Sequence, residues 1–153
     1  MAVIEEFGST LMRAWTGELS FHDLLNAASA LESGGYAPLS AVLYQHWINR
    51  NTTPYHHAAL FNFGTVLSNL GQLDDAVSAY KKAIEIAPAF VHPRLNLGVA
   101  YERLGRIEEA LQEWQWVVAN SPRDELNRGI VVMALNHSGR VLEGHKRFAD
   151  SLE

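Results

Sequence analysis

The sequence predicts an all-α protein built from antiparallel helix pairs. Three glycines, Gly71, Gly105 and Gly139, are spaced 34 residues apart, a period typical of helical repeats. The same residue types recur at this offset in residues 57–90 and 91–124. The matches are Phe63-Gly64 with Leu97-Gly98, Leu67 with Tyr101, Ala76 with Ala110, Tyr80 with Trp114, Ala83 with Val117, and Pro88 with Pro122. The period therefore predicts one helix pair for each repeat.

Residues 1–20 are predicted to form a capping helix that covers the first repeat. Their apolar residues recur at a spacing near 3.6 and would give one amphipathic face. These residues are Ile4, Phe7, Leu11, Met12, Trp15 and Leu19.

A divergent unit is predicted at residues 21–54, with a two-residue insertion before the next unit. The residues that match the repeat are Leu24, Ala27-Ala28, Leu31, Gly35, Tyr44 and Trp47. Gly34 and Gly35 are interpreted as the turn between its two helices.

The two clear units, 57–90 and 91–124, have a physical logic in their small and large residues. Gly64 and Gly98, with Ala76 and Ala110 opposite, are expected to let the two helices of a pair approach closely. Tyr80 and Trp114 are then expected to wedge between one pair and the next. Two kinds of residue should end the helices: glycine in the left-handed conformation after the first helix, and proline after the second. They are Gly71, Gly105, Pro88 and Pro122.

The last unit, 125–153, is predicted to be degenerate. It keeps a turn glycine at Gly139 and a late aromatic residue at Phe148. However, Val132 and Gly144 reverse the expected order of small and large contact residues. Terminal repeats are often atypical because their outer face meets solvent or another domain.

These motifs resemble the tetratricopeptide repeat (TPR) family over about residues 21–153. The resemblance implies a right-handed α-solenoid of about nine helices, with a concave groove lined by the first helix of each pair. The third unit departs from the pattern at its fourth place, where Arg94 replaces a large apolar residue and Leu95 is expected to compensate.

The sixth place of the first helix is asparagine in three units: Asn26, Asn62 and Asn96. A row of amides could pair with successive peptide groups of an extended chain, although an asparagine in a helix can also simply contact a neighbouring helix or water. The segments 95–98 and 74–88 are similar to the repeats of protein O-GlcNAc transferases, in which matching asparagines hold the substrate peptide. The predicted peptide-binding residues are Asn26, Asn62, Asn96, Phe61, Leu95, Thr65, His92 and Arg103.

Composition argues against several other functions. A net charge of −5 and the lack of a basic cluster disfavour nucleic acid, and no apolar stretch reaches the roughly 20 residues of a membrane helix. Without cysteine or a secretory leader, we expect a cytoplasmic protein with no cofactor, no metal and no catalytic activity of its own. The adjacent His56 and His57 are interpreted as helix-entry residues near Pro54, and His137 and His145 as surface residues.

Three functions are compatible with the sequence. The first is a protein-interaction module that binds a peptide or extended segment in its groove. The second is the N-terminal, substrate-recruiting segment of a larger O-linked glycosyltransferase. The third is a self-associating scaffold that forms a homo-oligomer through the C-terminal unit, where Val131, Val132, Met133 and Phe148 could be left uncovered.

Overall fold

The computed structural model describes the backbone of residues 2–150 and the side chains of residues 4–147, so the side chain of Phe148 lies outside the described residues. Eight α-helices account for the secondary structure of this part of the chain. They are α1 (Ala2–Thr16), α2 (Phe21–Ser33), α3 (Ala37–Arg50), α4 (His56–Asn69), α5 (Leu73–Ile86), α6 (His92–Arg103), α7 (Ile107–Asn120) and α8 (Glu125–Asp150). The all-α helical repeat is confirmed. The chain forms two compact units, Met1–Ile86 with α1 to α5 and Ala87–Glu153 with α6 to α8.

Glycines end the first helices as the sequence predicts. Gly71 and Gly105 have φ angles of +78° and +75°, which are inexpensive only for glycine. After Gly71, the amide of Gln72 donates to the carbonyl of Leu67 at 2.9 Å, so a carbonyl of the last turn is satisfied. Gly17 and Gly35 end α1 and α2 in the same conformation, with φ of +80° and +83°.

Each second helix also ends where expected. Helices α5 and α7 stop at Ile86 and Asn120, two residues before Pro88 and Pro122. Proline cannot donate a backbone hydrogen bond and disfavours the helical conformation of the residue before it, so the boundary is local in origin.

Close contact within a helix pair depends on two glycines. A Cβ atom built on Gly64 would lie 2.7 Å from the ring of Tyr80, and one built on Gly98 would overlap the indole of Trp114. The two aromatic residues therefore pack first against their own pair, a position that the sequence analysis assigned to the space between pairs. Trp114 also reaches the next helix, because its ring stacks on His137 of α8 at 5.1 Å.

The core of the first unit joins α1 to the first helix pair. Trp47 is fully buried, and its indole Nε1 donates to the carbonyl of Leu19 at 2.7 Å. Ala14, Leu24 and Leu43 are completely buried in the same cluster. Residues after α1 are thereby held against α3.

The prediction of about nine helices is wrong at the last unit. Gly139 does not form a turn, and residues 125–150 form the single helix α8. Ile130, Ala134 and Val141 share one buried face of α8, and this alignment requires the helix to continue through Gly139. Contacts before and after the glycine, from His137 to Trp114 and from Arg140 to Glu102 at 2.7 Å, offset the roughly 1 kcal/mol that an interior glycine costs.

Candidate functional site

The asparagines at the sixth place lie on the side of each first helix that faces away from its own second helix. A Cβ atom built on Gly64 would point at Tyr80 of α5, so this side of α4 faces α5. A residue two positions earlier lies about 200° around the helix, which turns Asn62 away from α5. The same relation holds for Asn96 and Gly98 in α6. We call these sides of α2, α4 and α6 the first-helix face.

The three asparagines differ in exposure. Asn26 is exposed, and its Nδ2 lies 3.1 Å from Nε2 of His22, one helical turn earlier. Asn62 and Asn96 are half-buried. Asn26 and Asn62 belong to the first compact unit, whereas Asn96 belongs to the second.

Phe61 and Thr65 lie together at the edge of the α4–α5 contact. Thr65 Oγ1 donates to the carbonyl of Phe61 at 3.1 Å and accepts from the hydroxyl of Tyr80 at 3.4 Å. The rings of Phe61 and Tyr80 are 6.2 Å apart. Both predicted residues are half-buried, so only part of each side chain is available for a ligand.

Besides the half-buried Asn96, the predicted residues of α6 are one buried residue and two exposed ones. Leu95 is only 7% exposed, and its carbonyl accepts a hydrogen bond from Trp114 Nε1 at 3.1 Å. Leu95 therefore offers little contact surface to a ligand. His92 and Arg103 are exposed at the two ends of α6. Partial burial of the His92 ring lowers the pKa of this histidine.

Sequence reasoning missed a charged cluster in the second unit. Arg94 pairs with Glu113 at 2.9 Å, and its guanidinium lies 3.9 Å above the ring centre of Trp116. The two charged side chains are only 18% and 20% exposed. Trp116 is half-buried and packs under Arg94. The signal was the unusual arginine at the fourth place.

Two cavities flank the helices of the first unit. One of about 670 Å³ lies beside the N-terminal half of α2, next to the hydrogen-bonded His22 of the first-helix face, and is lined mainly by aromatic and apolar residues. Its lining includes Phe21, Leu25, Pro54 and Tyr55. The other, of about 880 Å³, lies between the second helices α3 and α5, and none of the predicted site residues lines it. The sequence analysis did not consider this second cavity.

His56 and His137 have structural contacts, so the prediction that His137 is a surface residue is wrong. Nδ1 of His56 donates to the carbonyl of Asn51 at 2.8 Å and closes the loop before α4. His137 stacks on Trp114, and His145 is exposed. Within the part of the chain that the structure describes, no three histidine or acidic residues cluster as a metal site would require.

Comparison with known proteins agrees with these observations. The family model described as TPR repeat matches residues 64–105, which contain Gly64, Gly98 and the left-handed turn glycines Gly71 and Gly105. Solved structures agree in fold: the TPR domain of Arabidopsis OM64 has a TM-score of 0.67 at 17% identity, with 88% of this chain and 98% of that chain covered. For MamA the TM-score is 0.60 at 16% identity, with 84% and 80% covered.

Curated relatives are larger proteins that contain similar repeats. Human protein O-mannosyl-transferase TMTC1 is 33% identical over 93 residues, or 60% of this chain and 10% of that protein. The peroxisomal targeting signal receptor of Candida albicans is 33% identical over 82 residues, which are 53% of this chain and 13% of the receptor. The CTR9 homolog of Arabidopsis thaliana is 26% identical over 125 residues, 80% of this chain and 12% of that protein. These relatives give no preference for O-GlcNAc transferase repeats over other tetratricopeptide repeats.

Tetratricopeptide repeats are in general protein-interaction modules and are typically not catalytic. None of the described helices is both long enough and apolar enough to cross a membrane.

Proposed function

We propose that the chain binds an extended polypeptide segment along its first-helix face. The observation that carries the proposal is the position of Asn26, Asn62 and Asn96, each two residues before a buried small residue, which in α4 and α6 packs against the second helix. An amide side chain offers one acceptor and two donors, so it can pair with a peptide group regardless of the ligand's side chains. The bound segment is therefore recognised mainly through its backbone.

The other predicted residues flank this row. His92 and Arg103 are polar and exposed, while Phe61 and Thr65 present part of their surface beside Asn62. The Candida albicans relative is named as a receptor for a peroxisomal targeting signal, which supports peptide binding by repeats of this type. Weak charge on the face favours a ligand without a strong charge of its own.

The test begins with a peptide selected from a random display library on the full chain. Its Kd is then measured by fluorescence anisotropy for the parent, for a site variant and for a control variant with equal helicity. The site variant replaces Asn26, Asn62 and Asn96 with alanine. The control variant replaces three exposed asparagines on α3, α7 and α8 with alanine: Asn49, Asn120 and Asn136.

Each lost hydrogen bond to the ligand is expected to cost about 1 kcal/mol, so the site variant should bind roughly 100-fold more weakly. The control variant should keep the parent Kd. Equal losses in the two variants, or no selected peptide with a Kd below about 100 µM, would contradict the proposal.

If the ligand is recognised through its backbone, changes to the peptide itself provide a second test. N-methylation of single peptide groups removes a donor without changing side chains, and it should abolish binding at a few positions. Alanine substitution at those positions should have a small effect. If alanine substitution is the more damaging change throughout, the asparagine row does not read the peptide backbone.

A second candidate function is recruitment of substrate within a larger O-linked glycosyltransferase. The match to a human protein O-mannosyl-transferase favours it, since the matched repeats form 10% of that protein. Sequencing the source gene on both sides of the coding region tests this proposal. A glycosyltransferase domain in the same reading frame would support it, and stop codons that isolate the 153 residues would remove it.

Self-association through the C-terminal unit is a third candidate. Val132 and Met133 of α8 are 48% and 54% exposed, while Val131 is half-buried.

A cytoplasmic location stays a prediction from the lack of cysteine.

A further inference from the structure

Helix α1 leaves an apolar stripe exposed in the first unit. Its buried side, with Phe7, Leu11 and Ala14, packs against the core. Three large apolar residues lie next to this buried side and are exposed: Ile4 (46%), Met12 (56%) and Trp15 (50%). Gly8 lies among them, and a Cβ atom there would meet nothing within 4 Å. We call Ile4, Gly8, Met12 and Trp15 the α1 stripe.

Helix α8 leaves a second apolar stripe exposed in the other unit. Val132, Leu135 and Leu142 are 48%, 53% and 54% exposed, on the side opposite the buried Ile130, Ala134 and Val141. Gly139 lies on the same exposed side, and its surroundings are also open. We call Val132, Leu135, Gly139 and Leu142 the α8 stripe.

The two stripes match in length and shape. At 1.5 Å per residue, the α1 stripe from Ile4 to Trp15 is about 16 Å long, and the α8 stripe from Val132 to Leu142 is about 15 Å long. Each contains a glycine, so the backbones can approach closely. Exposed apolar rows of this kind mark interaction surfaces.

Charge favours contact between unlike stripes. Glu5 and Glu6 belong to α1, whose basic residue Arg13 is paired with Asp23 at 2.9 Å, while Arg50 of α3 lies over the Trp15 ring at the other end of the stripe. Lys146 follows Leu142 by one turn and ends the α8 stripe with a positive charge. An antiparallel arrangement of α1 on α8, with Ile4 opposite Leu142, places Glu5 about one helical turn from Lys146, within reach of the long lysine side chain.

Two α8 stripes match poorly with each other. Antiparallel pairing of Val132 with Leu142 of a second α8 would bring Arg128 to Lys146, two like charges. Contact between an α1 stripe and an α8 stripe avoids this repulsion and covers both apolar surfaces.

We propose that the α1 stripe of one copy docks antiparallel on the α8 stripe of a second copy. Because the two surfaces differ, the contact is head-to-tail and leaves one stripe of each kind available for further copies. Its area is on the order of several hundred Å², below the size of stable interfaces, so association is weak and concentration-dependent. The interface is independent of the first-helix face.

The experiment measures the mass of the full chain by sedimentation velocity from about 10 to 500 µM, a range suited to weak association. The parent is expected to grow in mass with concentration. Met12→Glu and Leu135→Glu each place a charge within a stripe and should weaken association at least tenfold. Leu126→Glu is the matched control, because Leu126 is 85% exposed on the same helix but outside the stripe.

Charge reversal identifies which surfaces meet. Glu5→Lys and Lys146→Glu should each weaken association several-fold. An equimolar mixture of the two variants should recover parent-like contacts, because the reversed α1 of one variant fits the reversed α8 of the other. Peptide affinity should stay at the parent value in every variant, which separates this interface from the first-helix face.

Three results would overturn the proposal. The first is a parent that stays monomeric over the whole concentration range. The second is that Leu135→Glu loses association while Met12→Glu associates as the parent does, which would mean a two-fold contact between α8 helices. The third is no recovery in the mixture of charge-reversed variants.

Discussion

Replacement of Gly98 by alanine is expected to destabilise the protein, although alanine is the better helix former. A Cβ atom at residue 98 would overlap the indole of Trp114, which is fully buried. The indole cannot move aside freely, because its Nε1 donates to the carbonyl of Leu95 at 3.1 Å and its ring stacks on His137. Either the ring shifts and loses these contacts, or the two helices separate.

The magnitude follows from three contributions. Overpacking of a filled core costs about 1–3 kcal/mol. Weakening the indole hydrogen bond adds about 1 kcal/mol. The helix propensity of alanine returns about 1 kcal/mol. We therefore expect a net loss of about 1–3 kcal/mol in the free energy of unfolding.

Gly139→Ala is the matched control. Gly139 also lies inside a helix, but a Cβ atom there would meet nothing within 4 Å, so this variant should gain up to about 1 kcal/mol. Urea unfolding followed by circular dichroism and tryptophan fluorescence measures both variants. If Gly98→Ala proves as stable as Gly139→Ala, the close contact does not constrain the helix pair. When Trp114→Leu is already present, adding Gly98→Ala should cost much less than it does in the parent, since residues 98 and 114 share one contact.

Two further predictions concern buried polar groups. Glu113→Ala should cost about 2 kcal/mol because it leaves the largely buried Arg94 charge unpaired, whereas the double change Arg94→Leu with Glu113→Leu, which removes both charges, should be neutral or stabilising; urea unfolding decides, and equal losses would contradict this. Burial, with a smaller effect of Glu32, raises the pKa of Tyr44 well above its usual value. Above about pH 10 the unfolded tyrosine loses its proton while the folded one keeps it, so stability should fall as pH rises. Tyr44→Phe should reduce this alkaline loss, and an unchanged slope in pH-dependent unfolding would refute the assignment.

Turns and helix contacts could be predicted from sequence where the cause is local. At Gly71 and Gly105 the positive φ angle restricts the residue type, so glycine at the end of an apolar periodic segment was a reliable signal. Gly64 and Gly98 were equally informative, since each faces an aromatic ring. The helix pairs could therefore be predicted at these four glycines from the sequence alone.

Gly139 shows where this reasoning stops. Glycine is tolerated in a turn and, at a modest cost, in a helix, so its residue type alone could not decide between them. The decision depends on His137 and Arg140, which contact Trp114 and Glu102 from either side of the glycine. The 34-residue repeat period does not show which residues distant in sequence contact each other. For the same reason the Arg94 cluster was missed, because its partners Glu113 and Trp116 lie on the next helix.

Under the proposed function, Asn96 and Gly98 have different roles within one helical turn. Gly98 faces Trp114, so a change there acts on stability. Asn96 lies about 200° away from it, so Asn96→Ala should leave the free energy of unfolding within about 0.5 kcal/mol of the parent. Its expected effect is a several-fold loss of affinity for a selected peptide, measured by anisotropy. If Asn96→Ala instead lowers stability and leaves affinity unchanged, the asparagine supports the repeat, and the ligand must be sought on another surface.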